Sequence, residues 1–316
     1  MTASTIPSIG IDFGGTSIKM GVVKGAEVIA HAPSIATQEY GNPDQLIEAI
    51  AQFVNMLRLN HPEVQAIGMG MPGFVNFYQG TVYTLTNVPG WNNVPVKDML
   101  QAACGLPVYV ENDANCMAYA EWKLGAGKGK RHLTLGTGVG SGLIVNGELL
   151  RGATCSAGEL GQTSIDYRGR LGHYGNRGSL EDYVGNREIA ADARTLYASH
   201  GIDKAIVDCN PISLERAALA GDKVAGQVWR DLAVKLSCAL MNCCYLLNPE
   251  AIIIGGGVAK ARTLLFQPLQ EIMKTQLAAP LVEYLEILPA QFGTEAGILG
   301  AAHLALNTHF GETFRA

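Results

Sequence analysis

Glu111-Asn112-Asp113-Ala114-Asn115 stands between an apolar run, Pro107 to Val110, and a helical pattern through Met117, Ala118, Ala120 and Leu124. Asn112 or Asp113 could simply cap that helix. A cap needs one such residue, and here four polar groups fall within five positions. A carboxylate at a strand's end could also take the proton from an attacking hydroxyl while Asn112 holds the substrate. Gly158-Glu159-Leu160-Gly161-Gln162 and Glu181-Asp182 add carboxylates and an amide in glycine-rich, poorly periodic sequence. Exposed loop charge is the plain reading of these, and a ring of sugar hydroxyls, each offering a donor, is the functional one.

Three glycine turns supply what a hydroxyl nucleophile would attack. In Asp12-Phe13-Gly14-Gly15-Thr16, paired glycines allow close approach and positive φ, so backbone N–H groups can face an anion beside the Thr16 hydroxyl. Asp12, ending an apolar strand, suits a magnesium ion held through water. An ordinary hairpin turn with a capping carboxylate is the alternative. Gly136-Thr137-Gly138-Val139-Gly140-Ser141-Gly142 carries more glycine than a hairpin needs, which favours phosphate. Gly255-Gly256-Gly257 leaves a strand and enters a helix, where nucleotide can lie against exposed backbone, although close helix packing explains it nearly as well. Phosphoryl transfer asks little of a protein beyond positioning and charge neutralisation, so these pieces would suffice. Gly-x-x-x-x-Gly-Lys-Ser/Thr is absent, and the Gly-x-Gly-x-x-Gly at Gly68, Gly70 and Gly73 contains Pro72, precedes no helical pattern and reads as a chance match.

The elements that must position these residues alternate. Strands are expected over Ser8 to Phe13, Ile18 to Val23 and Glu27 to His31, a meander of two hairpins, followed by a helix from Pro43 with apolar positions Leu46, Ile47, Ile50, Phe53, Val54 and Leu57. A strand at Val64 to Met69, a helix at Val96 to Ala103 and the Pro107 strand follow. Strands at Leu133 to Leu135, Leu143 to Val145 and Glu148 to Leu150 then repeat the opening as a weak duplication. Helices are expected within Arg187 to Ser199, Gly221 to Leu247, Ala259 to Gln276 and Glu295 to Asn307, with strands at Ala251 to Ile254 and Tyr284 to Leu288. This alternation implies α/β layers in two related domains.

Composition agrees. The 316 residues suffice for about two domains at roughly 150 residues each. Thirty-eight glycines without a three-residue period and only 13 prolines exclude collagen, and 48% hydrophobic against 16% charged residues excludes disorder. A net charge of −5 argues against nucleic acid. Seven cysteines without Cys-x-x-Cys spacing read as free, mostly buried thiols. No signal peptide or membrane-length apolar run is present, so a cytoplasmic place is expected.

Taken in order, Asp12-x-Gly14-Gly15-Thr16, Met71-Pro72-Gly73, Asn87-x-Pro89-Gly90-Trp91, Glu111-Asn112-Asp113-Ala114-Asn115, Gly136-Thr137-Gly138-x-Gly140 and Gly158-Glu159-x-Gly161 resemble the ROK (repressor, open reading frame, kinase) family. The resemblance runs from about Ile9 to Ala302. It implies a two-domain actin-like, ribonuclease-H-like ATPase fold, with residues 1–112 plus 301–316 as the smaller domain and 113–300 as the larger. It further implies sugar in the cleft, ATP–Mg²⁺ between the domains, and closure on sugar that limits wasteful ATP hydrolysis. Asp113 would be the base for the sugar's sixth-carbon hydroxyl, with Asn87, Asn112, Glu159, Gln162 and Glu181 at other hydroxyls. Asp12, Gly14, Gly15, Thr16, Thr137 and Gly138 would handle phosphates and magnesium, and Gly255, Gly256 and Gly257 would lie near adenosine.

The resemblance also implies a structural zinc, held by a histidine after Gly-Glu-x-Gly and by three cysteines in Cys-x-Cys-Gly-x-x-Gly-Cys-x-Glu. Here those positions are Gln162, Gly172, Tyr174 and Ser179, while Gly175, Gly178 and Glu181 of the frame remain. Zinc prefers nitrogen and sulfur ligands, His173 alone cannot replace four, and the loop is expected to be metal-free. The activity implied is an ATP-dependent hexose kinase, with glucose expected and mannose, fructose or N-acetylhexosamine as alternatives. Polyphosphate is a less favoured donor. A DNA-binding repressor is set aside because only eleven residues precede the first turn, and a non-catalytic sugar-binding regulator because Asp113 and the phosphate turns are present. A homodimer is expected from the frequency of dimers in the family.

Overall fold

The computed structural model describes residues 6–85, 87–136 and 139–311. Strands β1 (Ser8–Phe13), β2 (Ser17–Lys24) and β3 (Glu27–His31) form the expected antiparallel meander, and β4 (Ile35–Ala36) adds to β2. Helix α1 (Pro43–Asn60) starts where Asn42 Oδ1 accepts the Gln45 N–H at 3.0 Å and where Pro43 has no N–H to lose. β5 (Ile67–Met71) then pairs parallel with β1, three residues later than the hydrophobic run suggests. Three short strands, β6 (Val75–Asn76), β7 (Thr81–Thr84) and β8 (Asn92–Val94), make a small antiparallel sheet too brief to leave a period in the sequence. After α2 (Val96–Cys104), β9 (Val108–Asn112) pairs parallel with β5 and runs directly into α3 (Asp113–Lys123).

Further along lie β10 (His132–Leu135) and the hairpin β11 (Ser141–Val145) to β12 (Glu148–Leu149), closed by Asn146 and Gly147 at φ 54° and 75°. Next come α4 (Glu181–Val184), α5 (Asn186–Ser199), α6 (Pro211–Leu219) and α7 (Lys223–Leu247). Asp222 Oδ1 caps α7 by accepting from Val224 and Ala225, and Asn248 ends it in the left-handed region. β13 (Ala251–Ile254) pairs parallel with β10 and with β14 (Glu286–Pro289). The helix expected over 259–276 is split. Val258–Ala261 form one 3₁₀ turn, the backbone reverses at Arg262 with φ 45°, and α8 (Thr263–Gln276) begins after it, so tertiary direction overrides the good propensity of Ala259 to Ala261. α9 (Ala279–Val282) and α10 (Ala296–Phe310) complete the chain.

Contacts group the chain into one unit of Met1–Gly129, Gly142–Gly158 and Gln291–Ala316 and another of Lys130–Ser141 and Glu159–Ala290. The sequence places the first crossing at residue 113, whereas contact density keeps α3 with the sheet that leads into it. In the first unit the buried carboxylate of Glu121 accepts from Ala126 N (3.0 Å), Gln291 N (2.8 Å) and Phe292 N (3.2 Å). One side chain thereby fastens the segment on which the chain leaves this unit and the segment on which it returns.

α10 packs against the sheet of the first unit through small residues. A Cβ on Gly10 would come within 1.9 Å of Ile298 O, one on Gly68 within 1.8 Å of Ala301 O, and one on Gly300 within 1.7 Å of Cys116 O. Gly68, the start of the discarded Gly-x-Gly-x-x-Gly match, is therefore a packing glycine. The cysteines are free as expected, with Cys104, Cys116, Cys155, Cys209 and Cys244 buried. Among the described residues no helix is long and apolar enough to cross a membrane.

Candidate active site

Within the first unit, register aligns Asp12 of β1 with Gly70 of β5 and Gly70 with Glu111 of β9. The Asp12 turn and the Asp113 segment therefore leave the same carboxyl edge of one parallel sheet, two strand spacings or about 10 Å apart, where open α/β sheets bind ligands. Gly70 lets the start of α3 lie close over β5, since a Cβ there would meet Cys116 Sγ at 3.2 Å and Asp113 Cα at 3.5 Å. Burial pushes the Asp12 carboxyl up from the usual range, with Lys19 opposing, and α10 begins against it. A Cβ on Gly297 would lie 2.6 Å from Asp12 Cγ.

The turn itself differs from expectation in one respect. Neither Gly14 nor Gly15 takes positive φ. Gly14 N–H donates to Ser17 O at 3.0 Å, and a Cβ on Gly14 would crowd that oxygen at 2.8 Å, so Gly14 serves the tightness of the turn. Gly15 and Thr16 are exposed. Asn87 Nδ2 donates to Gly15 O at 2.6 Å, which ties the Asn87 segment to the turn. Asn112 is the helix cap: its Oδ1 accepts from Asn115 N at 3.1 Å and its Nδ2 donates to Gly73 O at 3.1 Å. Asp113 is the first residue of α3, and its Oδ1 accepts from Ala114 N at 2.8 Å.

Sequence reasoning missed what stands behind this edge. Glu111 is fully buried, and Oε1 accepts from Asn112 N (2.9 Å) and Asn115 Nδ2 (3.0 Å) while Oε2 accepts from Arg151 Nε at 2.7 Å. The Arg151 guanidinium also lies 3.8 Å from the Phe77 ring centroid. Forty residues separate the partners, and nothing local in the sequence signals the pair. Arg151→Ala leaves the Glu111 charge buried with neutral donors only, so we expect a loss of about 3 kcal/mol in urea unfolding, with a loss under about 1 kcal/mol counting against the pair.

In the second unit, Ile254 pairs with Leu135, and Gly255 N donates to Leu135 O at 2.7 Å, so the turns after β10 and β13 leave adjacent strands. Gly256 takes φ 70°, as glycine allows. A cavity opens beside both turns, lined by Leu135, Gly136, Val139, Leu232, Leu236 and Val258. Thr137 and Gly138 lie outside the described residues. The loop after Glu159 packs on the same turn, since Leu160 N donates to Ser141 Oγ at 3.4 Å and a Cβ on Gly161 would meet Val139 O at 3.0 Å. Gln162 Nε2 donates to Glu181 Oε2 at 2.7 Å. Burial pushes the Glu159 and Glu181 carboxyls up. Each carries a further like charge, Glu181 acting on Glu159 and Asp182 and Glu188 on Glu181, while the Gln162 bond and His173 pull Glu181 back. Two crowded carboxylates beside an amide suit neutral donors such as hydroxyls.

The model of the ROK family matches residues 8–308. A glucokinase of Streptomyces coelicolor is 35% identical over 94% of this chain and 97% of its own. The crystal structure of a ROK family glucokinase from Streptomyces griseus, in complex with glucose and AMPPNP, superposes with a TM-score of 0.79 at 32% identity, covering 95% of this chain and 99% of that one. The ROK hexokinase of Thermus thermophilus gives a TM-score of 0.80 at 29% identity, over 96% and 99%. The architecture is the two-domain actin-like ATPase fold. Sequence motifs, fold and relatives agree, and the chain belongs to the ROK family.

Proposed function

We propose that this chain is an ATP-dependent glucokinase, transferring the γ-phosphoryl group of ATP to the sixth-carbon hydroxyl of glucose. The observation that carries the reading is the shared carboxyl edge on which β1 delivers the Asp12 turn and β9 delivers Asp113. Asp113, the first residue of α3, takes the proton from the sugar hydroxyl. Asn112 spends its carbonyl on the helix cap, so its contribution to sugar is an amide N–H. Asn87 supports the Gly15 turn as well as facing substrate. Glu159, Gln162 and Glu181 accept from and donate to the remaining hydroxyls.

Asp12 fits magnesium: burial raises the cost of its charge, and a hydrated cation would relieve that cost. When bound, the ion neutralises phosphate charge. The family resemblance assigns the phosphates to Gly14, Gly15, Thr16, Thr137 and Gly138, and in the second unit the cavity lined by Gly257 and Val258 would offer adenine an apolar wall. The glucose and AMPPNP held by the Streptomyces griseus glucokinase support the same pair of ligands here. A cytoplasmic homodimer completes the reading.

The deciding experiment is a coupled ADP-release assay with ATP–Mg²⁺ against glucose, mannose, fructose and N-acetylhexosamines. Glucose should give the highest kcat/KM. Turnover of another hexose with a higher kcat/KM would move the assignment to that sugar, and binding without turnover of any sugar would favour a regulator.

A further inference from the structure

The stretch 163–180 has two isolated bridges, Ser164 to Ser179 and Leu171 to Arg177, and its backbone is gathered around one side chain. Asn176 Nδ2 donates to Gln162 O and to Ser179 Oγ, both at 2.9 Å, and Asn176 O accepts from Gly172 N at 2.7 Å. Gln162, Gly172 and Ser179 are three of the four positions at which the family resemblance implies a zinc ligand.

These positions do not fit zinc. None carries a thiol or imidazole, and the space for a thiol is filled: a Cβ on Gly172 would meet Ser179 Oγ at 2.5 Å, Asn176 Oδ1 at 2.9 Å and Asp182 Oδ2 at 3.0 Å. Ser179 is 1% exposed, so the oxygen that occupies this space is a settled part of the interior. The loop is rebuilt around oxygen and amide, with Gly178 at φ 74° pressed so close to Asp166 that no side chain fits.

We propose that Asn176 is a positioning residue for sugar: it clasps the Gln162 backbone to the Ser179 turn and thereby fixes the Gln162–Glu181 pair, without metal. The consequence follows from connectivity. Gln162 holds Glu181 through its side chain at 2.7 Å, and its carbonyl is held by Asn176. Ser179 lies two residues before Glu181 on the same turn. One amide thus adds a side-chain tie between the two ends of the pair, beside the backbone bond from Leu180 N to Thr163 O at 2.9 Å. Losing its two N–H donors frees Gln162 and Glu181 to drift, and a displacement of about 1 Å in a positioning group costs on the order of 10²-fold in catalytic efficiency.

The inference rests on the sugar kinase reading, and its test separates the two. Wild-type chain, Asn176→Ala and Asn176→Asp are compared, the aspartate keeping the shape while removing both donors. The expected result is a glucose KM raised at least tenfold in both variants, with ATP KM within twofold and kcat within fivefold of wild type. Unchanged glucose KM in either folded variant overturns the clasp, as does a parallel change in ATP KM and kcat, which would mark general loosening. One equivalent of tightly bound zinc in the wild-type chain, with activity lost to a chelator in the presence of excess magnesium, overturns it as well. If wild type turns over no sugar, the kinase reading fails while the clasp is still read by amide hydrogen exchange. Residues 162–180 should then exchange at least tenfold faster in Asn176→Asp, and equal exchange rejects it.

Discussion

Asp113→Asn should lower kcat for glucose by about 10²–10⁴-fold and leave glucose affinity within about threefold. An amide cannot take a proton at neutral pH, so the base is removed, while its oxygen can still accept from Ala114 N as the carboxylate does at 2.8 Å. The helix keeps its cap, because Asn112 provides it and is untouched. Glu111, Asn115 and Arg151 behind the edge are also unchanged, so the fold has no reason to yield. What remains is transfer by positioning and charge neutralisation alone, which accounts for most of the rate in phosphoryl transfer and explains why loss should be large without being total. Glucose affinity is read by equilibrium titration, because KM departs from Kd when chemistry is not slow. A kcat within tenfold of wild type would remove Asp113 from the base role.

Gly300→Ala and Gly68→Ala should each destabilise the protein by more than about 4 kcal/mol, read as loss of soluble yield or as a lower urea midpoint. The added carbon would lie 1.7 Å from Cys116 O in the first and 1.8 Å from Ala301 O in the second. The clashing atoms are backbone of α3 and α10, which cannot rotate away as a side chain could, so relief requires shifting a helix in a close-packed interior. Gly226→Ala is the control. It lies within α7, its Cβ would meet only Arg230 Nη1 at 3.5 Å, and it should stabilise by about 0.5–1 kcal/mol through helix propensity. If Gly300→Ala and Gly226→Ala behaved alike, the close backbone approach would be refuted.

Much of the fold was legible where a period or a cap carried it. The meander of β1 to β3, the Pro43 start of α1 and the strand-to-helix junction at Asn112 are all local signals. Asp113 stands out in the sequence because its neighbours exceed what a cap requires. The remainder was hidden for physical reasons. The strands β6 to β8 run two to four residues each, shorter than any period. Glu111 and Arg151 meet across forty residues. Asn87 reads as a sugar ligand, but only the folded turn reveals its bond to Gly15. Gly14 and Gly15 allow positive φ, but neither takes it, and Gly14 is constrained by Ser17 O. Asn176 is invisible in the sequence because its partners are a carbonyl, a hydroxyl and an amide N–H, none of which leaves a residue signature.

The thiols carry one further consequence. Burial pushes Cys104 and Cys243 up to about 11 and Cys244 up to about 12, and it raises Cys116 too, with Glu111, Asp113 and Asp12 adding to the effect and Arg151 opposing it. At neutral pH these sulfurs are almost entirely protonated and poorly nucleophilic, and for the buried ones, Cys104, Cys116 and Cys244, an alkylating reagent must also wait for the chain to open. Each buried thiol therefore works as a built-in clock of local breathing: Cys116, whose sulfur faces Gly70, times the parting of α3 from β5, and Cys244 times the loosening of the last turns of α7, with no label introduced.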